Sequence, residues 1–184
     1  MLIYFCRHAQ EAESPYDPKE AITNLGKEQA RALGQFLTDK DIEALYSSDL
    51  PRALRTAEVV SKVLNLKPKI LKELREISTA SPEDWTEYIQ KHHPDLDFLV
   101  GGRESLKRVM ERGKWAWDKI IRENRGKNVA IIGHGVFTKA LLYFLGYKEY
   151  LMKNDHIANT GVTIFEHKDN ETKLVEFNYY SHLP

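Results

Sequence analysis

The chain has 184 residues, of which 42% are hydrophobic, and its 27 lysines and arginines balance 27 acidic residues. This length and hydrophobic content predict one domain, residues 1–184, that can bury a core. Because the net charge is zero, the chain has no overall field that would hold it on nucleic acid or on an acidic membrane, and we expect neither as a partner.

The N-terminal residues predict a buried strand that ends in two basic side chains. The run from Leu2 to Cys6 is too short for a helix and is typical of a strand buried on both faces. Cys6 has no second cysteine to pair with, so we expect a small buried hydrophobic residue. Arg7 and His8 follow at the carboxyl end of the strand, where α/β sheets bind ligands. Because neither a signal segment nor a bilayer-length apolar run is apparent, we expect a cytoplasmic protein.

A loop and then a helix follow this strand. The segment from Glu11 to Ala21 contains two proline dipeptides, which predict a loop beside the strand end. Apolar residues recur at helical spacing from Gly26 to Leu37, and Thr23 or Asn24 is the expected helix cap.

A second strand end carries another arginine. Residues Ile42–Tyr46 predict a short strand, and a helix follows from Arg52 to about Leu64, with Pro51 in its first turn. Arg52 therefore lies both at a strand end and at a helix start, where backbone N–H groups and the helix dipole favour anions.

The middle of the chain predicts a third strand, Lys69–Leu71, and then a helical excursion around residues 78–124 without strand character. Pro82 opens a helix, ended by Pro94, whose Trp85 and Tyr88 we expect to pack. Gly101-Gly102 interrupt the chain before a longer helix from Ser105 to Glu123. Trp115 and Trp117 cannot share one face of that helix, so we expect one to pack and the other to border the mouth of a site.

A last basic side chain stands at the end of a buried strand near the C-terminus. Residues Asn128–Ile132 predict this strand, and Gly133-His134-Gly135 precede a helix from Val136 to Leu145. The tail predicts two strands, Gly161–Phe165 and Lys173–Phe177, joined by a turn at Asp169-Asn170.

Four basic side chains and one carboxylate can meet over one edge of this predicted sheet: Arg7, His8, Arg52, His134 and Glu76. Such a set suits phosphoryl transfer, because fixed cationic donors stabilise the negative charge on the transferred group. A neutral imidazole can attack phosphorus and form a phosphohistidine. A carboxylic acid with a raised pKa can protonate the leaving oxygen, and Glu76 is the candidate for that role.

Several short motifs occur in one order along most of the chain. They are Arg7-His8-Ala9-Gln10, Thr23-x-x-Gly26-x-x-Gln29-Ala30, Ser47-Ser48-Asp49-Leu50-x-Arg52-Ala53-x-x-Thr56-Ala57, Leu74-Arg75-Glu76, Glu104-Ser105 and Gly133-His134-Gly135. Together they resemble the histidine phosphatase superfamily, which is the phosphoglycerate mutase-like family.

This resemblance implies an α/β fold, namely a three-layer α/β/α sandwich with a mostly parallel central sheet. It implies His8 as the phosphorylated nucleophile, Glu76 as the proton donor, and a phosphate pocket formed by Arg7, Arg52 and His134. It also implies a small phosphorylated substrate as the partner, and neither a metal nor an organic cofactor.

Other positions are weaker candidates or depart from the family pattern. Thr23 and Gly135, which lie in matching motifs, are candidates for substrate binding, as is Ser14, which stands where many members have asparagine. Ala9 replaces the glycine that usually follows the catalytic histidine and needs a backbone conformation that tolerates a Cβ. Arg103 interrupts the usual Gly-Gly-Glu-Ser order; a solvated loop arginine is the commoner case, and contact with an acidic substrate is the alternative.

We expect a phosphomonoester hydrolase that works through a phosphohistidine at His8. A cofactor-dependent phosphoglycerate mutase that uses the same residues is one alternative, and a non-catalytic phosphate-binding module on the same fold is another. The short chain, without long insertions, favours the phosphatase. Five further histidines show no metal-ligand spacing, and we expect ordinary surface or core roles for them: His92, His93, His156, His167 and His182. The sequence specifies neither the physiological substrate nor an oligomeric state.

Overall fold

The computed structural model of the protein describes residues 1–12, 21–93, 95–152 and 156–183. Its strands, in chain order, are β1 (Leu2–Arg7), β2 (Ile42–Ser47), β3 (Lys69–Ile70), β4 (Leu99–Val100), β5 (Glu104–Ser105), β6 (Asn128–Gly133), β7 (Val162–Lys168) and β8 (Glu171–Tyr179). Its α-helices are α1 (Asn24–Thr38), α2 (Pro51–Leu64), α3 (Pro82–Glu87), α4 (Leu106–Glu123), α5 (Gly135–Phe144) and α6 (Glu149–Met152). A 3₁₀ turn covers Lys72–Leu74, and a π-helical turn, Tyr88–His92, continues α3.

Within the described residues, six strands form one sheet in the order β3-β2-β6-β1-β7-β8. The strands β3, β2, β6 and β1 pair in parallel, whereas β7 pairs antiparallel with both β1 and β8. The predicted α/β fold with a mostly parallel sheet is therefore confirmed.

Helices cover both faces of this sheet, and β1 is buried on both sides, as predicted. Ile3 and Phe5 belong to the core that includes residues of α4 and α5, whereas Tyr4 and Cys6 belong to the core that includes residues of α1 and α2. Burying one large apolar side chain contributes about 1.5–3 kcal/mol. The two cores hold the sheet rigidly between two helical layers.

Local signals set the starts of the helices that flank the site. Thr23 caps α1, as predicted, because its hydroxyl accepts a hydrogen bond from the backbone N–H of Gly26 at 2.9 Å. Pro51 lies in the first turn of α2, where its missing N–H leaves no intrahelical bond unmade. The helix α5 begins directly after His134, which occupies the N-cap position.

The prediction that residues 78–124 hold no strand is wrong. In this segment β4 and β5 form an antiparallel hairpin around Gly101 and Gly102, whose positive φ angles of 56° and 69° favour glycine. Two-residue strands are too short to show an alternating pattern, so the sequence did not indicate them. The helices predicted from Pro82 and from Ser105 are present, and Pro94 lies outside the described residues.

The C-terminal hairpin agrees with its sequence signal. Asp169 and Asn170 connect β7 to β8 with φ angles of 52° and 64°. Positive φ at both central residues matches the right-handed twist of a hairpin. None of the helices among the described residues is both long enough and apolar enough to cross a membrane, and the cytoplasmic location stays a prediction.

Candidate active site

Three neighbouring parallel strands bring the predicted basic side chains to one edge of the sheet. Arg7 is the last residue of β1 and His8 follows it, while His134 follows β6 directly. Arg52 is the second residue of α2, five residues after β2 ends at Ser47. Because β6 lies between β2 and β1, the carboxyl ends of these strands present the four side chains together.

His8 is held as a neutral imidazole. Its side chain is almost completely buried, and Nδ1 lies 2.8 Å from the backbone carbonyl oxygen of Ala9. Because a carbonyl oxygen can only accept, we assign the ring proton to Nδ1 and the lone pair to Nε2. Burial, together with the positive charges of Arg52 and Arg7, lowers the pKa of His8 to about 3. Nε2 is therefore the ring nitrogen that carries the lone pair at neutral pH.

The guanidinium groups of Arg52 and Arg7 flank this nitrogen. Arg52 Nε donates to His8 Nε2 at 3.1 Å, and Arg52 also forms an ion pair with Glu11 at 3.4 Å. Arg7 donates to the backbone carbonyl of Ile157 and, at 2.7 Å, to Nε2 of His156. Since Arg52 donates to the lone pair of Nε2, this hydrogen bond must break before the nitrogen can act as a nucleophile.

His134 is set as a hydrogen-bond donor by Ser48. Its ring is fully buried, and its Nε2 lies 2.9 Å from the hydroxyl of Ser48, which also accepts the backbone N–H of Leu50. A serine hydroxyl can donate to Nε2 or accept from it, and we assign the tautomer in which Ser48 donates to Nε2 of His134. The ring proton then sits on Nδ1, a buried nitrogen without a hydrogen-bond partner among the described residues. Burial and the nearby charges keep the pKa of His134 well below its usual range.

Glu76 lies at the N-terminus of α5. Its Oε1 accepts the backbone N–H groups of Ile77 at 3.1 Å and Phe137 at 2.8 Å, and its Oε2 accepts that of Val136 at 3.0 Å. These hydrogen bonds favour the carboxylate, but burial has the larger effect and raises the pKa of Glu76. Because Oε1 already accepts two hydrogen bonds, the free lone pair for a proton is on Oε2.

A cavity of about 990 Å³ leads to this cluster. Its wall includes Arg7, Arg52, Glu76, Gly135 and the segment 77–81. The volume suits a small metabolite.

The structure adds two side chains to the cavity wall. Trp85 packs against Tyr88, as predicted, and also lines the wall. His156, for which we expected an ordinary surface or core role, lines it as well. Of the two tryptophans on α4, Trp117 packs, as predicted for one of them, and is buried against Phe165. The prediction that the other borders the site is wrong, because Trp115 is 52% exposed and does not line this cavity. No local signal in the sequence places His156 or Trp85 at the site, because their position depends on how distant segments pack.

Three further positions that the sequence analysis singled out are Thr23, Ser14 and Ala9. Thr23 uses its hydroxyl within the protein, where it caps α1 and donates to Oε1 of Gln10 at 2.7 Å, and it is absent from the cavity wall; its substrate contact stays a prediction. Ser14 lies outside the described residues. Ala9 does not have a positive φ, so its Cβ introduces no backbone strain, and its N–H donates to the hydroxyl of Thr56.

Within the described part of the chain, no group of three or more histidine, cysteine, aspartate or glutamate side chains is arranged to hold a metal ion. The positive charges beside His8 are those of the arginine side chains. That the reaction needs no metal stays a prediction.

A model of the histidine phosphatase superfamily (branch 1) matches residues 3–179 of the chain. The chain belongs to this superfamily. The resemblance predicted from the motifs is thereby confirmed, and the match covers nearly every element of the sheet and both helical layers.

Histidine phosphatase relatives include both phosphatases and mutases. The uncharacterized phosphatase PhoE of Bacillus subtilis is 25% identical over 163 residues, covering 88% of this chain and 83% of its own. The putative phosphoserine phosphatase 2 of Hydrogenobacter thermophilus is 27% identical over 205 residues, covering 98% and 96% of the two chains. The crystal structure of a phosphoglycerate mutase from Bacillus anthracis superposes with a TM-score of 0.81 at 22% identity, covering 100% and 95%. The fold alone therefore does not distinguish phosphoester hydrolysis from the mutase reaction.

Replacing Arg52 with lysine is expected to preserve the fold and to lower kcat/KM about 10²-fold, the effect of losing one preorganised donor to the phosphoryl group. A lysine ammonium cannot reproduce the bidentate guanidinium fork. Steady-state kinetics and competition by inorganic phosphate measure the loss. Arg55→Lys on the same helix keeps its exposed pairing with Glu58 and is expected to behave like wild type. Wild-type kinetics in Arg52→Lys would refute the phosphate-binding role.

Proposed function

We propose that the protein hydrolyses phosphomonoesters of small metabolites through a phosphohistidine at His8. The observation that carries the proposal is the state of His8, which is neutral and presents Nε2 to a guanidinium at the end of a buried strand. Arg52 bonds His8 Nε2, and the ring centroid of His134 lies 5.2 Å from that of His8, so we expect Arg7, Arg52 and His134 to bind the phosphoryl group. This set supplies a nucleophile and fixed donors without a metal ion.

In the first half-reaction, the phosphoryl oxygens of the ester bind Arg7, Arg52 and His134. Arg52 breaks its hydrogen bond to His8 Nε2 and donates to a phosphoryl oxygen instead. The lone pair of Nε2 attacks phosphorus in line, and the bond from phosphorus to the leaving oxygen breaks. Glu76 gives its proton to that oxygen, so the alcohol leaves neutral.

In the second half-reaction, the Glu76 carboxylate takes a proton from water as the water oxygen attacks the phosphohistidine. The P–N bond breaks, its electron pair returns to Nε2, and inorganic phosphate leaves. Glu76 is protonated again, so both side chains are ready for the next substrate.

The choice of a small phosphorylated metabolite rests on the cavity and on the relatives. The cavity volume suits a metabolite of modest size. One relative is described as a putative phosphoserine phosphatase and another as an uncharacterized phosphatase. Together they favour hydrolysis over the mutase reaction.

Phosphate release from p-nitrophenyl phosphate and from a panel of phosphorylated metabolites, compared with isomerisation of 3-phosphoglycerate, tests the proposal. We expect phosphate release on several esters, unchanged by EDTA, and isomerisation that is negligible beside it. Dominant isomerisation would assign the mutase reaction, and phosphate binding without turnover would assign a binding module. Loss of activity in EDTA that added metal restores would contradict the metal-independent mechanism.

A further inference from the structure

Two side chains outside the phosphate pocket hold the backbone of the segment that carries Glu76. Arg112, on α4, donates to the backbone carbonyl oxygens of Glu73 at 2.7 Å, Arg75 at 2.6 Å and Glu76 at 3.1 Å. Glu104, on β5, accepts the backbone N–H of Ser78 at 2.9 Å. The chain is therefore fixed on both sides of Glu76.

The same two side chains also bind each other. Arg112 donates from Nε to Oε1 of Glu104 at 2.8 Å and from its second terminal nitrogen to Oε2 at 3.1 Å. With the three carbonyl contacts, all the N–H donors of the guanidinium group are used. Both side chains are largely buried, with 19% and 17% of their surfaces exposed, so solvent screens this pair less than an exposed ion pair. We call this pair the Arg112–Glu104 clamp.

A second contact links the clamp to the other side of the Glu76 carboxylate. The Arg112 guanidinium lies over the ring of Phe137, 5.4 Å from its centroid. The backbone N–H of Phe137 is one of the three that bind the Glu76 carboxylate. Arg112 therefore contacts both the backbone that carries Glu76 and a residue of the helix start that receives its carboxylate.

We propose that Arg112 and Glu104 are positioning residues for Glu76, which hold its carboxylate at the start of α5 and facing the cavity. This inference rests on the proposed role of Glu76 as the proton donor. Neither Arg112 nor Glu104 lines the cavity that leads to His8, and their backbone contacts surround Glu76 rather than the phosphate pocket. A proton donor displaced by about 1 Å can lose about 10²-fold in rate.

The clamp also explains why Glu104 is not an alternative proton donor. Oε1 accepts Arg112 Nε, and Oε2 accepts both Arg112 and the N–H of Ser78. Both carboxylate oxygens of Glu104 thus bind Arg112 or the backbone of Ser78. Glu104 is also absent from the wall of the cavity that leads to His8.

The test compares Arg112→Gln with Glu76→Gln on an alkyl phosphate and on p-nitrophenyl phosphate, in single-turnover kinetics. An alkoxide must be protonated as it leaves, whereas p-nitrophenolate leaves with little help. We expect Arg112→Gln to lower the rate about 10- to 100-fold on the alkyl phosphate and less than about threefold on p-nitrophenyl phosphate. The double variant should be no slower than Glu76→Gln alone on the alkyl phosphate, because both changes act through one proton donor.

Two further variants keep the result interpretable. Glu104→Gln replaces one carboxylate oxygen with an NH2 group, so it removes one acceptor and the negative charge but leaves the arginine. We expect the same selectivity with a smaller loss. Lys114→Gln removes an exposed ion pair with Asp118 on the same helix and should leave both rates unchanged. Circular dichroism and thermal unfolding show which variants are folded. If Arg112→Gln does not fold, the same comparison is made with Glu104→Gln.

The outcomes separate this inference from the proposed function. Equal losses on both substrates, or losses that multiply in the double variant, overturn the positioning role while leaving the function intact. A selective loss in Glu76→Gln without one in either clamp variant overturns it as well. If Glu76→Gln shows no selective loss, Glu76 is not the proton donor and the inference falls with that role, although phosphatase activity itself remains.

Discussion

Replacing His8 with alanine is expected to reduce phosphate release by about 10⁴-fold or more, since loss of a nucleophile removes the covalent route. The fold should survive, because the contacts that tie this residue to the sheet are made by its backbone: its N–H donates to the Gly133 carbonyl, and its own carbonyl accepts from Asn159. Steady-state turnover of p-nitrophenyl phosphate measures the loss, and circular dichroism checks the fold.

A phosphoenzyme experiment distinguishes the covalent role from a binding role. Enzyme mixed with a ³²P-labelled ester and quenched in alkaline detergent should carry label on histidine in the wild type and none in His8→Ala. His167→Ala is a suitable control, because His167 lies on β7 and its ring nitrogen forms a hydrogen bond with the hydroxyl of Thr172 on β8. We expect it to keep both label and turnover. Labelled His8→Ala protein would show that the nucleophile is a different residue.

The parts of the site that the sequence predicted are those determined locally. Buried strands leave a strong apolar signal, and the residue after such a strand is fixed at the sheet edge whatever else the chain does. For this reason Arg7, His8 and His134 could be placed without the structure. Arg52 was predictable because a proline marked the start of its helix.

The parts that the sequence did not predict depend on contacts between distant segments. Arg7 and His156 are 149 residues apart in the chain, and Arg112 reaches a carbonyl 39 residues away. Arg112 also reads as an ordinary charged position on a helix that has exposed ion pairs. Only the packing of α4 against the 3₁₀ turn that precedes Glu76 makes it part of the site.

The surroundings of Glu76 suit its proposed role, in which one carboxylate both gives and takes a proton. Three backbone N–H groups favour its ionised form, and burial favours its neutral form more strongly, so its pKa is raised. In the proposed mechanism, a bound phosphate ester would add negative charge near Glu76 and so favour its protonated form. After the alcohol leaves, the same N–H groups would stabilise the carboxylate that takes a proton from water.

Replacing Glu76 with glutamine is expected to lower the rate of phosphoryl transfer about 10²- to 10⁴-fold for alkyl phosphates, the usual contribution of a general acid. For p-nitrophenyl phosphate the fall should be clearly smaller, because its leaving group needs little protonation.

The pH dependence of the wild-type rate gives a second measure of the role of Glu76. Above the raised pKa of Glu76 its carboxyl proton is lost, so the wild-type rate on alkyl phosphates should fall as pH rises. His8, with a pKa of about 3, remains neutral across this range and cannot cause that fall. In Glu76→Gln the alkaline fall should disappear. Equal losses on both substrates would mean that Glu76 orients the start of α5 instead, and an unchanged rate would move the proton-donor role to another group.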